Sequence, residues 1–240
     1  MTIVLPPVSE LKRLALDLFF PPYCIGCGKE GEYLCPACRR SLIAVTPPVC
    51  PRCGRPVSTD EIGQQSCRGC LHWQKSLDGL CAPFLFKGLV RDAIHELKYN
   101  NFRAVSFEMA KLMYEFYRNQ LLSGDILIPV PLHNKKFLDR GYNQSVLLAR
   151  EFARFCGLPV AENFLLRGKY SPAQARSLSV EDRQANVSGA FFCRDERFKG
   201  KKVILIDDVS TSGATLNACA SALKDKGVSM VWGLTFALEL

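Results

Sequence analysis

No stretch of this 240-residue chain approaches the roughly 20 consecutive apolar residues that a bilayer-spanning helix requires, so membrane insertion is not expected. The first residues, MTIVLPPVSELKRL, bring in an acid at Glu10 and lack the basic start and long apolar core of a secretory leader. A cytoplasmic protein is the expectation. Histidine is scarce, with three in the chain. Neither His72, two residues after a cysteine pair, nor His95, beside an apolar helical stripe and expected to be partly buried, sits in a pattern that suggests metal ligation or catalysis. No residue of any type stands out as a general base. An acidic surplus is missing too: the formal charge is +8. The basic excess lies in residues 81–200, with 18 Lys plus Arg against 12 Asp plus Glu, while residues 201–240 balance at four against four. Such an excess suits a polyphosphate or a nucleic acid.

Cysteine, by contrast, is abundant at twelve. Eight fall in four C-x-x-C pairs: Cys24/Cys27, Cys35/Cys38, Cys50/Cys53 and Cys67/Cys70. Two C-x-x-C turns complete one tetrahedral thiolate site, so the segment is expected to hold two structural Zn²⁺ ions. Sequential pairing is simplest, with Cys24, Cys27, Cys35 and Cys38 in one site and Cys50, Cys53, Cys67 and Cys70 in the other. Spacing leaves a crossed arrangement open. Disulfides do not suit a reducing cytosol. With two thiolate-bound ions the formal charge falls to about +4. Gly28 and Gly54 follow the second cysteine of their pairs, where a tight knuckle calls for an unusual dihedral. The segment has little core of its own, so metal is expected to supply its folding energy. Arg39, Arg40, Arg52, Arg55 and Arg68 decorate it and leave direct nucleic-acid contact open. Cys81, Cys156, Cys193 and Cys219 read as small buried hydrophobes.

The rest of the chain is organised around Lys202–Leu216, KVILIDDVSTSGATL. Val203–Ile206 is a short β-branched run that reads as a buried strand. Asp207 and Asp208 follow, then a turn crowded with hydroxyls, then a helical pattern. Ligands of parallel α/β folds sit at the carboxyl ends of strands. Acids there can hold hydroxyls or a hydrated cation, and a loop entering a helix can hold a phosphate. A phosphorylated sugar matches both halves.

Around it, Ser9–Phe19 reads as an amphipathic helix, Leu80–Phe86 as a strand with Pro83 making it irregular, Leu89–Tyr99 and Phe102–Leu122 as helices, and Asp125–Val130 as a strand. Phe107, Tyr114 and Tyr117 read as core packing. A basic loop, Pro131–Lys136, and a helix through SVLLAREFARF come next, so Lys135, Lys136, Arg140, Asn143 and Gln144 become candidates for a pyrophosphate or, for the two amides, for capping. Short strands are expected at 157–160 and 189–193. The polar stretch between them, with Gln174, Arg176 and Arg183, reads as a mobile cover that excludes water. A helix from Thr215 to Lys226 and a strand at 228–238 complete the chain. The expected organisation is an N-terminal helix in 1–22, a zinc-binding module in 23–75 and an α/β domain in 78–240.

Four segments, CIGC…CPAC…CPRCG…CRGC, IPVPLHNKKFLDRGYNQS, SPAQARSLSVEDRQANVSGAF and VILIDDVSTSGATL, together resemble the ComF family over nearly the whole length. The resemblance implies a type I phosphoribosyltransferase-like α/β fold, a parallel sheet flanked by helices and preceded by a small Cys-rich zinc-binding module. It implies a pocket for phosphoribosyl pyrophosphate with Mg²⁺. There Asp207 and Asp208 hold the ribose hydroxyls, and Ser210, Thr211, Ser212, Gly213, Ala214 and Thr215 hold the 5-phosphate. Pro131–Gln144 corresponds to the pyrophosphate region, and Arg167–Arg183 to the variable flexible segment. Ser171-Pro172-Ala173-Gln174 departs from the family, where many members have Thr before the Gln. The implied role is in competence, DNA uptake or DNA utilisation. Two forms are open: a phosphoribosyltransferase, or a non-catalytic single-stranded-DNA-binding accessory of natural transformation that works with a helicase-like partner.

Overall fold

The structure is a computed structural model and describes residues 21–58, 61, 67–70, 76–99, 104–120, 122–168 and 190–240. The helix expected at Ser9–Phe19 and the candidates His72, Gln174, Arg176 and Arg183 lie outside them. The chain divides into two compact units, one ending at Leu42 and the other beginning at Ile43. Cys24, Cys27, Cys35 and Cys38 lie in the first unit, and Cys50, Cys53, Cys67 and Cys70 in the second.

The first unit is a knuckle around Cys24 and Cys27. The Gly28 N–H donates to the Cys24 carbonyl and the Cys24 N–H to the Lys29 carbonyl across the turn, and Tyr23 bridges Glu30 in antiparallel register. A short helix, α1 (Pro36–Arg40), follows with Pro36 at its start, where a missing N–H costs nothing, and Cys35 as its cap.

The second unit is built on a parallel sheet. Its strands are β1 (Gly79–Cys81), β2 (Phe84–Leu85), β3 (Ile126–Pro129), β6 (Lys202–Ser210) and β7 (Met230–Leu238), in the order β1-β7-β6-β3, with β2 also on β7. All four pairings are parallel. β1 and β2 are one edge strand interrupted at Ala82-Pro83, because proline has no N–H for the ladder. β6 is an interior strand, and its run Val203–Ile206 is apolar throughout and fully buried, as a strand segment covered on both faces must be. Val203 and Leu205 lie in a core cluster with Leu216, Cys219, Ala220 and Leu223 of α6 (Ala214–Lys224). Strand alternation turns Ile204 and Ile206 to the opposite face. There α5 (Gln144–Cys156) packs on β3 and β6, and α3 (Val105–Tyr117) packs on α5. Tyr114 and Tyr117 meet Phe155 and Phe152 at ring separations of 5.7 and 5.3 Å, so the aromatics of α3 are core packing. A separate antiparallel pair, β4 (Leu165–Arg167) with β5 (Phe191–Cys193), packs against α6. Cys193 and Cys219 are buried, and Cys81 and Cys156 half-buried.

Four local expectations need correction. Residues read as a basic loop form a helix, α4 (Asn134–Arg140), capped by His133 Nδ1, which accepts from the Lys135 N–H, and closed by Gly141 in the left-handed conformation. Its apolar residues, Phe137 and Leu138, are exposed, so it has no amphipathic signature to read. The segment 157–160 forms no strand: Val160 makes a single bridge to Leu127. β6 runs past Ile206 to Ser210, taking both acids into the strand. His95 on α2 (Gly88–Tyr99) is exposed rather than half-buried, its ring against Tyr99. Among the described residues, no helix is long and apolar enough to cross a membrane.

Candidate functional site

The carboxyl end of β6 gathers side chains from three other elements. Asp207 and Asp208 come from β6 itself, Lys98 from the last turn of α2, Arg140 from α4, and Gln144 and Ser145 from the first turn of α5. Asn143 positions that turn. Its Oδ1 accepts from the Ser145 N–H at 3.0 Å and its Nδ2 donates to the Val130 carbonyl at 2.9 Å. Of the two roles the sequence left open for Asn143, the cap is the one realised.

Asp208 is almost wholly buried, and a buried carboxylate demands partners. Gln144 Nε2 donates to its Oδ1 at 2.9 Å, and Lys98 Nζ lies 2.5 Å from its Oδ2. The Lys98 side chain is itself 18% exposed, so the pair is largely shielded from solvent. Arg140 Nη1 donates to Gln144 Oε1 at 2.7 Å, extending the chain outward. Asp207 accepts from Ser145 Oγ at 2.7 Å and from the Asp208 N–H at 2.9 Å. Burial, and then the charge of Asp208 beside it, push Asp207 well above the usual carboxylate range, and the two hydrogen bonds recover part of that.

Beside the acids lies a cavity of about 490 Å³ lined by Lys98, Tyr99, Lys136, Asp139, Arg140 and Tyr142. Three cations against one acid make it an anion site in character. Tyr99 is 62% exposed and carries the Arg140 guanidinium 5.0 Å from its ring centre. Lys135 is exposed on the same short helix but does not line the cavity.

Just after the acids in the chain, Thr211–Gly213 turns β6 into α6. Gly213 adopts φ +73° as the residue before the helix, and Ser212 Oγ accepts from the Ala214 N–H at 3.4 Å. Thr211 is exposed and Ser212, Ala214 and Thr215 half-buried, so this turn is open to a ligand. Ser210 differs: its hydroxyl is fully buried, with no hydrogen-bond partner among the described residues.

The structure thus brings Asp207, Asp208, Arg140, Gln144 and the 211–215 turn to one strand end, with Lys136 on the adjoining cavity. Sequence reasoning missed Lys98 and Ser145. Lys98 had a signal, since it falls four residues after buried Ile94 on the edge of the apolar stripe of α2. Ser145 follows the cap Asn143 by two residues and gave none beyond that.

The cysteines form two separate sets of four, Cys24/Cys27/Cys35/Cys38 and Cys50/Cys53/Cys67/Cys70, with all sulfurs of each set within 4.8 Å of one another. The sequential assignment holds. Neighbouring sulfurs lie 3.7 Å apart at Cys27–Cys35, 3.9 Å at Cys50–Cys70 and 3.6 Å at Cys53–Cys67. A tetrahedron of ~2.3 Å Zn–S bonds requires about 3.8 Å, so both sets fit Zn²⁺. Burial opposes ionisation of Cys50, but the amides of Cys53, Cys67 and Arg52 outweigh it and bring that thiol down to about 7. Burial raises Cys53 to about 12, the charge of Cys50 adding to it, so a second thiolate forms only against a cation. Gly28 and Gly54 both adopt positive φ, as their place in the knuckles requires.

Comparison with known proteins agrees with both halves. Residues 15–71 match the double zinc ribbon domain, and residues 138–236 match the phosphoribosyl transferase domain. Competence protein F of Haemophilus influenzae is 32% identical over 91% of this chain and 99% of its own. Competence protein ComFC of Bacillus subtilis is 27% identical over 83% of this chain and 81% of its own. DNA utilization protein YhgH of Escherichia coli K12 is 25% identical over 82% and 87%.

Proposed function

The chain belongs to the ComF family of competence protein F, and from that premise we propose that its α/β pocket binds phosphoribosyl pyrophosphate with Mg²⁺ and transfers the phosphoribosyl group in the handling of DNA. The observation that carries this reading is the gathering of two acids, a hydroxyl-rich helix entry and a cationic cavity at the end of one strand. Each of the three matches one part of the ligand: ribose hydroxyls, 5-phosphate and pyrophosphate.

In this reading the 211–215 turn and the start of α6 anchor the 5-phosphate, the unreactive end, so that remote binding energy places the reacting carbon. Asp207 holds a ribose hydroxyl and lies near the positive charge that develops on the ring as the bond from the anomeric carbon to pyrophosphate breaks. The electron pair leaves with pyrophosphate, which Lys136 and Arg140 receive, and the acceptor forms the new bond to the same carbon. Mg²⁺, when bound, reduces the charge on the pyrophosphate. Asp208 is already neutralised by Lys98 and Asp207 is already hydrogen-bonded, which suits an ion carried mainly by ligand oxygens and water. His133, with Nδ1 committed to a cap, is no base for the acceptor, so the acceptor's own ionisation activates it.

The test is calorimetric titration of the zinc-loaded protein with phosphoribosyl pyrophosphate and Mg²⁺, beside an Asp207→Asn/Asp208→Asn variant. Saturable binding by the parent and a loss of about 100-fold or more in the folded variant are expected, two charge-assisted contacts being worth roughly 1.5–3 kcal/mol each. Absence of binding by the parent would remove this reading. The second reading, a non-catalytic single-stranded-DNA-binding accessory, draws on the words competence and DNA utilization in the relatives' names. It requires affinity for DNA that falls steeply with salt as counterions are released.

A further inference from the structure

Resting on the reading of residues 211–215 as a 5-phosphate turn, we infer that Arg55 is a positioning residue for that turn and that the second zinc knuckle exists to hold it there. Arg55 lies two residues after Cys53. Its Nη2 donates to the Thr211 carbonyl at 2.7 Å across 156 residues of sequence. A trans peptide is planar, with its C=O and N–H pointing in opposite directions. Fixing the Thr211 carbonyl toward Arg55 therefore fixes the Ser212 N–H on the far side. That N–H is one of the donors a phosphate in this turn would use.

The knuckle that presents Arg55 is itself tightly tied. The Cys50 N–H donates to the Arg55 carbonyl at 2.8 Å, and the Gly54 N–H to the Cys50 carbonyl at 2.9 Å. The Leu80 N–H donates to the Arg52 carbonyl at 2.9 Å, which joins the knuckle to β1. Gly54 comes so close that a Cβ there would lie 2.7 Å from the Leu80 carbonyl oxygen. Just before β1, the Leu77 N–H reaches Asn217 Oδ1 on α6 at 3.3 Å. The phosphate turn is thus gripped from β6 and α6 behind and from the cysteine knuckle in front. A zinc ribbon whose only task was to fold itself would need none of these contacts. Zn²⁺ in the Cys50/Cys53/Cys67/Cys70 set fixes the backbone from which Arg55 reaches.

The experiment uses the full chain loaded with zinc, as parent, Arg55→Ala and Arg55→Lys. Ribose 5-phosphate and inorganic pyrophosphate are titrated separately, and amide exchange of residues 211–215 is followed without ligand. Arg55→Ala is expected to keep both zinc ions, to bind ribose 5-phosphate about tenfold more weakly, to bind pyrophosphate as the parent does, and to exchange faster at Ala214, whose N–H is held by Ser212 Oγ within the turn. Arg55→Lys recovers part of this, since an ammonium lacks the planar fork. Chelation is expected to speed exchange of the turn in the parent and to add little in Arg55→Ala, because both remove one tether. Unchanged turn exchange in Arg55→Ala overturns the inference whether or not ribose 5-phosphate binds. Equal loss of ribose 5-phosphate and pyrophosphate affinity also overturns it, as a general structural defect. A parent that binds no ribose 5-phosphate removes the phosphate reading instead, and the exchange rates still decide the role of Arg55.

Discussion

Lys98 and Asp208 form a pair in which each partner makes the other's burial tolerable. Removing one side of a buried pair costs about 3–5 kcal/mol, because a charge is left without compensation. Lys98 retains some exposure, so Lys98→Met is expected to lose about 3 kcal/mol of stability in denaturant unfolding. Asp208→Asn added to Lys98→Met should restore part of that loss, and a strictly additive double mutant would show that the two are not coupled. Asp207 sets a pH dependence of its own. Its folded pKa lies above the unfolded value, so the folded state binds more protons than the unfolded state between the two. The stability tied to this group is complete below about pH 4 and is lost as pH rises through the raised value. Ligand-free protein is therefore expected to melt at progressively lower temperature from pH 5 toward pH 8, with a flatter profile in Asp207→Asn. A parent profile as flat as the variant's would show that Asp207 ionises normally. The motif made both acids legible in the sequence. Their pairing with Lys98 and Ser145 was not, because contacts across 110 and 62 residues leave no spacing to read.

At the scale of elements, what could be read followed from burial pattern. β6, β7 and α2 announce themselves by apolar runs or stripes, because each is covered by the core. α4 did not, since seven residues with an exposed Phe137 and Leu138 carry no amphipathic period, and its caps alone define it. The knuckles sit between these cases: cysteine spacing shows the turn, and the glycine after each pair shows its backbone. The two glycines are not equivalent, however. Gly28 at φ +71° has open space where a Cβ would go, while Gly54 at φ +69° has the Leu80 carbonyl in the way. Gly28→Ala is expected to cost about 1–2 kcal/mol, the price of a left-handed non-glycine residue. Gly54→Ala adds a clash with backbone that cannot rotate aside, so it should destabilise clearly more. Thermal melts of the two zinc-loaded variants check the order, and equal shifts would mean that the knuckle and β1 move apart without cost.

For the whole molecule, the sequence shows two cysteine sets of the same size, and the structure shows that their surroundings differ. Among the described residues of the unit ending at Leu42, only Cys24, Leu34 and Cys35 are buried, with Cys27 exposed and Cys38 half-buried. All four cysteines of the second set are buried and belong to the unit that carries the parallel sheet. Spacing cannot express that difference, because C-x-x-C pairs look alike whether or not a core lies behind them. The asymmetry has a kinetic consequence. A chelator removes metal by reaching an exposed sulfur or by waiting for a local opening, and openings are rarer where more surface is buried. Excess chelator is therefore expected to release two zinc ions per chain in two phases of equal amplitude, the fast one from Cys24/Cys27/Cys35/Cys38. Cys27→Ser should remove the fast phase and leave the slow phase at its original rate. One common rate, or loss of both phases on that single substitution, would mean that the two sites open together and that the division at Leu42 has no energetic counterpart.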